Sequence, residues 1–231
     1  MEEVDAKRAA ARAALSEIPE REGAIIGLGS GSTSRLFVEE LGARVRAGLR
    51  IVGVPTSEST RALAASLNIP LLGDEGPWDI DVNVDGADEV SEHLDLIKGG
   101  GAAHTREKIV NFAAKRNVII VDASKLSARL GERWSVPIEV LPFAHGTTRA
   151  HLERLGTPAL RSRDGAVVRT DAGNLIYDLA AGPIDDPGAL DRRLRSVPGV
   201  VETGLFVGRA DVVLVADGDA VRRLERRPTA R

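Results

Sequence analysis

The sequence predicts an α/β fold: a mostly parallel sheet with helices on both faces, plus a smaller α+β domain with an antiparallel sheet, inserted before a C-terminal strand and helix. Three observations predict it. Short β-branched runs alternate with amphipathic stretches over roughly the first half of the chain, the pattern of βαβ units. Beyond about Leu130 the runs become shorter and are separated by turn signals, notably Arg163-Asp164-Gly165 and Asp171-Ala172-Gly173-Asn174. Late in the chain the apolar run Val212-Val213-Leu214-Val215-Ala216 then reads as a strand that rejoins the first sheet. The division expected is 1–130 with 205–231 as one domain and 131–204 as the smaller one.

In chain order, residues 4–18 are Ala-rich with apolar spacing suited to a helix. Gly23-Ala24-Ile25-Ile26-Gly27-Leu28 is a buried strand that passes through a Gly/Ser turn into a helix over 34–45. Arg50-Ile51-Val52-Gly53-Val54 is the second strand, with a helix over 59–67 after it. Ile80-Asp81-Val82-Asn83-Val84 is the third and ends at an acidic cluster. A helix over 105–114 precedes the strand Val118-Ile119-Ile120-Val121. In the smaller domain, strands fit 134–141, 159–163, 166–169 and 175–179, with helices over 147–155 and 187–196. A last helix is expected over 219–226, carrying the Arg-rich run from Arg222 to Arg227 as a solvated face.

Composition narrows the function. Lys plus Arg number 31 and Asp plus Glu 34, a formal net charge of −3, so no global basic field is present for nucleic acid or an anionic membrane. Only seven aromatic residues are present (four Phe, two Trp, one Tyr), too few for a base-stacking platform. The absence of cysteine removes disulfides, thiolate catalysis and zinc–thiolate sites. The acidic start, Met1-Glu2-Glu3-Val4-Asp5, lacks the basic and apolar pattern of a secretory signal, and no apolar run approaches a membrane span. The expectation is a cytoplasmic protein with no nucleic-acid or membrane partner. His93, His104, His145 and His151 show no metal-ligand spacing, and no metal or organic cofactor is expected.

Three segments carry candidate chemistry. Gly27-Leu28-Gly29-Ser30-Gly31-Ser32-Thr33 lies at a strand-to-helix turn, where backbone N–H groups and the helix dipole favour an anion. It lacks the third glycine of the dinucleotide fingerprint, replaced by Ser32 or Ser34 depending on the register, and it lacks the Gly-Lys-[Ser/Thr] of a Walker loop. Asp85-Gly86-Ala87-Asp88-Glu89 follows the third strand, at the edge where parallel sheets bind ligands. Its two aspartates could position sugar hydroxyls or move protons, or else cap a local turn. In Lys98-Gly99-Gly100-Gly101-Ala102-Ala103-His104-Thr105-Arg106-Glu107-Lys108, the glycines and Lys98 could stabilise an oxyanion. Glu107 near a helix start could act as a base, or be a plain ion-paired glutamate behind a Thr105 cap. Lys125 falls after the fourth strand and could meet phosphate or hydroxyl. Physical reasoning thus reaches an anion cradle, two carboxylates, oxyanion donors and a base. It does not name a substrate.

Those segments, with Asp122-Ala123-Ser124-Lys125, Val136-Pro137-Ile138-Glu139-Val140, Thr170-Asp171, Gly173-Asn174 and Val197-Pro198-Gly199-Val200-Val201-Glu202-Thr203-Gly204-Leu205-Phe206, resemble ribose-5-phosphate isomerases of the A type, in order and over nearly the whole chain. The resemblance implies a Rossmann-like domain joined to a smaller α+β domain. It also implies cofactor-free interconversion of ribose 5-phosphate and ribulose 5-phosphate in the pentose phosphate pathway, and a homodimer or homotetramer. Residue by residue, it implies that Ser30, Gly31, Ser32 and Thr33 meet the phosphate end. Asp85, Gly86, Ala87 and Asp88, with Lys98, Gly99, Gly100 and Gly101, would line the sugar. Lys125 would bind substrate and Glu107 would accept the proton in a cis-enediolate mechanism, with Lys98 stabilising charge. Asp85 and Asp88 would share ring opening and proton movement between O1 and O2. Lys7 matches a family phosphate contact only loosely, and His104 stands within the Gly-rich segment. The sequence departs from the family at Ala172 and Thr203, where Asn is common. Sugar-phosphate sensor domains and CoA transferases share the fold type, so the motifs, and not the fold, carry the functional reading.

Overall fold

A computed structural model describes residues 2–226. Helix α1 (Glu2–Ala14) leads through a 3-10 turn (Leu15–Glu17) to β1 (Ala24–Leu28), α2 (Ser32–Arg46), β2 (Ile51–Pro55), α3 (Glu58–Ser66) and β3 (Val82–Asp85). Two short strands, β4 (Glu89–Ser91) and β5 (Leu96–Ile97), come before α4 (His104–Ala113), β6 (Asn117–Asp122) and a 3-10 turn (Ala123–Lys125). Next are β7 (Leu126–Ser127), β8 (Val136–Val140), α5 (His145–Leu152), β9 (Thr157–Leu160), β10 (Ser162–Arg163) and β11 (Ala166–Val167). The chain continues with β12 (Leu175–Ala180), α6 (Pro187–Arg195), β13 (Val200–Thr203) and β14 (Leu205–Phe206), and ends with β15 (Val212–Asp217) and β16 (Ala220–Glu225). None of the described helices is long and apolar enough to cross a membrane.

The described residues divide into two compact units: 2–87, 106–125 and 209–226 form the first, 88–105 and 126–208 the second. The first is built on a six-stranded sheet in the order β16-β15-β6-β3-β1-β2, parallel except for the β15–β16 pair. Its inner strands are apolar on both faces because helices cover both. On one face the small residues Ala6, Ala10, Ala11 and Ala14 let α1 lie close to the sheet and to Phe37, Val38 and Leu41 of α2. On the other, Val110 of α4 packs with Val54 and Ile80. Parallel pairing brings the carboxyl ends of β1, β2, β3 and β6 to one edge, followed in sequence by Gly29, Thr56, Gly86 and Ala123.

The expected last helix over 219–226 is instead strand β16, paired antiparallel with β15 from Val212↔Glu225 to Asp217↔Ala220. Val221 and Leu224, three residues apart, suit either a helix or an edge strand. The two-residue Gly218-Asp219 loop decides it, because Gly218 adopts φ 58, the positive value that primed hairpin turns require. The arginines then charge an exposed sheet edge, which discourages further strand pairing. Arg227, the end of that basic run, lies outside the described residues.

The second unit holds an antiparallel sheet, β13-β8-β12-β9, and a smaller sheet, β14-β5-β4-β7. Val136, Ile138, Val140, Tyr177 and Leu179 form its core with Leu152 of α5 and Leu194 of α6. Residues 88–105, which the sequence reading kept with the parallel sheet, belong to this unit. Strands β4 and β5 pair antiparallel, and β5 continues the ladder to β14 (Leu205↔Ile97, Phe206↔Leu96).

Candidate functional site

On the first unit, the turn after β1 wraps around the end of β3. Gly29 N–H donates to Val84 O at 3.0 Å, and a Cβ on Gly29 would stand 2.6 Å from the Asp85 Cα, so only glycine fits. Asp85 is fully buried, and its Oδ1 accepts from Ser30 N–H (3.1 Å), Ser34 Oγ (3.1 Å) and Gly86 N–H (2.8 Å). The candidate cradle and the first candidate carboxylate are therefore one hydrogen-bonded assembly. Gly31, at φ 98, is the N-cap of α2 and has no side chain with which to close the helix end, which leaves the first turn, with Ser32 and Thr33, suited to an anion.

Ser30 Oγ meets Thr56 Oγ1 (2.8 Å), Ser57 Oγ (2.7 Å) and Thr60 Oγ1 (3.2 Å), and Thr60 Oγ1 donates to Gly29 O (3.1 Å). Sequence reasoning missed these three hydroxyl residues, which follow the second strand. The available signal was Ser57-Glu58-Ser59-Thr60, a cap pattern in which Ser57 Oγ accepts from Thr60 N–H at 3.1 Å. Ser34, the partner of Asp85, was likewise unassigned.

Glu107 lies in the first turn of α4, where the helix dipole favours a carboxylate, and is 4 % exposed. Its neighbour Arg106 bonds Glu58 at the start of α3 (Nη1–Oε1 2.8 Å), and this contact holds the Glu58 carboxyl below its ordinary range. Lys125 ends the 3-10 turn after β6, which Asp122 caps through Ser124 N–H at 3.0 Å. Lys7 is half-buried on α1.

On the second unit, Asp88 and the three glycines come together: Gly100 N–H donates to Asp88 Oδ2 at 2.7 Å. Asp88 is anchored in turn by its own N–H to Ile97 O (2.9 Å). Lys98 is buried, with Nζ 5.5 Å from the centre of the Phe206 ring. Gly99 adopts φ 117, and a Cβ there would reach within 2.7 Å of His104 Nδ1. His104, fully buried with Nε2 3.3 Å from Glu202 O, thus packs beneath the glycine segment. Glu89, the last acid of its motif, is structural: it is fully buried and accepts from Ser127 Oγ, Gly131 N–H and Arg133 N–H. Gly101 is exposed, while Gly86 and Ala87 on the first unit are half-buried. Among the described residues, no group of three or more His, Asp or Glu side chains is arranged to hold a metal ion.

Residues 52–220 match the family ribose 5-phosphate isomerase A (phosphoriboisomerase A). The chain is 49% identical to ribose-5-phosphate isomerase A of Rhodopseudomonas palustris (strain TIE-1), covering 98% of this chain and all of that protein. It is 48% identical to the same enzyme of Methanothermobacter thermautotrophicus, over 94% of this chain and 96% of the relative. Among solved structures, ribose 5-phosphate isomerase A of Methanocaldococcus jannaschii superposes with a TM-score of 0.89 at 42% identity, over 96% of this chain and 98% of that one. A D-ribose-5-phosphate isomerase in complex with phospho-erythronic acid superposes with a TM-score of 0.93 at 40% identity, over 98% of this chain and all of that one.

Proposed function

The chain belongs to the ribose 5-phosphate isomerase A family and isomerises ribose 5-phosphate, and we propose that it does so by proton transfer through a cis-enediolate with Glu107 as the base. Ser30, Gly31, Ser32 and Thr33 hold the phosphate end with their hydroxyls and the N-terminus of α2, and Lys125 adds a cation. Asp85, with Asp88, opens the furanose ring and moves protons between O1 and O2. Glu107 takes the proton from C2 of the open-chain aldose and returns it to C1 of the enediolate, yielding D-ribulose 5-phosphate. Lys98 and the glycine N–H groups stabilise the negative charge on oxygen. In this reading the Gly100 N–H, which donates to Asp88 Oδ2 at 2.7 Å, orients that carboxylate, and Lys98, Gly99 and Gly101 serve as the oxyanion donors. A cytoplasmic location, a place in the pentose phosphate pathway and a homodimer or homotetramer belong to the same proposal and are supported by family kinship.

The observation that carries the assignment of the base is the burial of Glu107 in the first turn of α4, a carboxylate withdrawn from water at a helix N-terminus. The test is incubation with ribose 5-phosphate in excess EDTA. The expected outcome is ketose formation by the wild type and a loss of kcat of about 10²–10⁴-fold in Glu107→Gln with substrate binding retained. Near-normal kcat in Glu107→Gln would remove that residue from the role. Binding without turnover by the wild type would point to a sensor, and dependence on acyl-CoA to a transferase.

A further inference from the structure

We propose that Arg161, held by Asp178, is a positioning residue that acts on the reaction through the peptide joining Gly99 to Gly100 and so through the Asp88 carboxylate. This rests on the reading of Asp88 as a group that handles substrate protons.

The peptide is gripped from both ends. Its carbonyl, on Gly99, accepts from Arg161 Nη1 at 2.6 Å, and its N–H, on Gly100, donates to Asp88 Oδ2 at 2.7 Å. In a trans peptide these two groups point in opposite directions, so the arginine and the carboxylate hold one rigid plane between them. The same Nη1 lies 3.4 Å from Gly100 O, and Ala102 N–H also donates to Gly99 O at 3.0 Å.

Arg161 is itself fixed. Its guanidinium forks onto Asp178, Nε to Oδ2 at 2.9 Å and Nη2 to Oδ1, and its side chain is 11% exposed. Its backbone is tied on both sides, N–H to Ile176 O at 2.8 Å and C=O to Val168 N–H at 3.0 Å. The guanidinium therefore reaches the glycine segment from a sheet scaffold with its geometry set by the fork.

Two physical consequences follow for Asp88. Consecutive glycines have wide conformational freedom, and a cation on the Gly99 carbonyl removes it where the N–H must face the carboxylate. A charged donor on a carbonyl also polarises the amide and strengthens the hydrogen bond its N–H makes. A Cβ on Gly100 would stand 2.7 Å from Asp88 Oδ1, so any other residue here would push the carboxylate out of this contact. Arg161 thus touches the carboxylate only through a peptide group, and its effect belongs in kcat.

The experiment measures kcat and KM for ribose 5-phosphate, and the melting temperature, in Arg161→Met, Arg161→Lys, Asp178→Asn, the Arg161→Met/Asp178→Asn pair and Asp88→Asn. The expected result is a kcat roughly 10–100-fold lower in Arg161→Met, with KM within about threefold, because small misplacements of reacting groups act on that scale. Arg161→Lys, which keeps the charge without the fork, recovers part of the loss. Asp178→Asn loses less than Arg161→Met, and the double variant is no worse than Arg161→Met alone, because the two act as one unit. The proposal is overturned by kcat within twofold of wild type in Arg161→Met, by a change confined to KM, by additive losses in the double variant, or by a loss accounted for by the unfolded fraction. Asp88→Asn separates the two levels. If it is impaired while Arg161→Met is not, the positioning role alone fails. If it keeps full kcat, the assignment of Asp88 fails and takes this proposal with it.

Discussion

Asp85 shows how a single buried side chain is held in one orientation. One of its oxygens receives a backbone N–H from each of two loops and a hydroxyl from α2, so the carboxylate cannot rotate without breaking several bonds at once. Ser34 contributes twice, since its Oγ also accepts from Gly86 N–H at 2.9 Å. Ser34→Ala is expected to lower kcat by about tenfold and stability by about 1 kcal/mol, the usual worth of a buried hydrogen bond, read from steady-state kinetics and urea melts. Asp81 is held for stability. Arg21 foremost, then Ile25 N–H and Lys115, draw its pKa down from 3.8 to about 2. A carboxyl whose pKa is depressed on folding stabilises the protein above its unfolded value, and that contribution is lost as pH falls through the folded one. Asp81→Asn should therefore destabilise the protein by about 1 kcal/mol at neutral pH, a figure reduced for solvent screening of the exposed Arg21, and the gap should close between pH 4 and 2 in melts taken across that range.

At the scale of elements, the site depends on β1 and β3 being neighbours in parallel register, Leu28↔Val84, so that the turn after one lies on the end of the other. Gly29→Ala would push against the Asp85 backbone, which cannot swing aside as a side-chain tip could. The expected outcome is a loss of stability of about 1–3 kcal/mol and at least a tenfold fall in kcat, from melts and kinetics on the same preparation. The strand-to-helix turn and the acids after β3 were legible because continuous apolar runs ending in Gly, Ser or Asp point to the carboxyl edge of a parallel sheet. The hydroxyl shell of Thr56, Ser57 and Thr60 was not, because its meaning lies in Ser30 being 26 to 30 residues away in sequence and one hydrogen bond away in space. Strand β16 was misread because Val221 and Leu224 satisfy helical spacing, and only the turn chemistry of Gly218-Asp219 distinguishes the two.

For the whole molecule, the chain alternates between the two units, so neither is a continuous segment. The alternation of strands and helices showed the parallel sheet from local pattern. The assignment of residues 88–105 to the second unit rests on two- and three-residue strands such as Leu96–Ile97, whose pairing with Leu205–Phe206 spans more than a hundred residues and leaves no local trace. The return of the chain has a testable consequence. Strand β15 pairs with β6 along Val118↔Val212 to Asp122↔Ala216, so a chain ended at residue 208 loses two strands of the six and bares the apolar β6 edge. Its expected behaviour is aggregation and loss of the cooperative thermal transition by circular dichroism.

Proton transfer through an enediolate with Glu107 as base is tested most directly by isotope. Ribose 5-phosphate is converted in deuterium oxide and the ketose product is read by NMR at C1. A base that takes a proton from C2 and returns one to C1 can exchange with solvent between the two events. Deuterium at C1 of the wild-type product, growing as product re-equilibrates with the enzyme, and negligible product from Glu107→Gln are therefore expected. Ribulose 5-phosphate formed at an undiminished rate by Glu107→Gln, or still free of deuterium at C1 after prolonged re-equilibration with the wild-type enzyme, would contradict it.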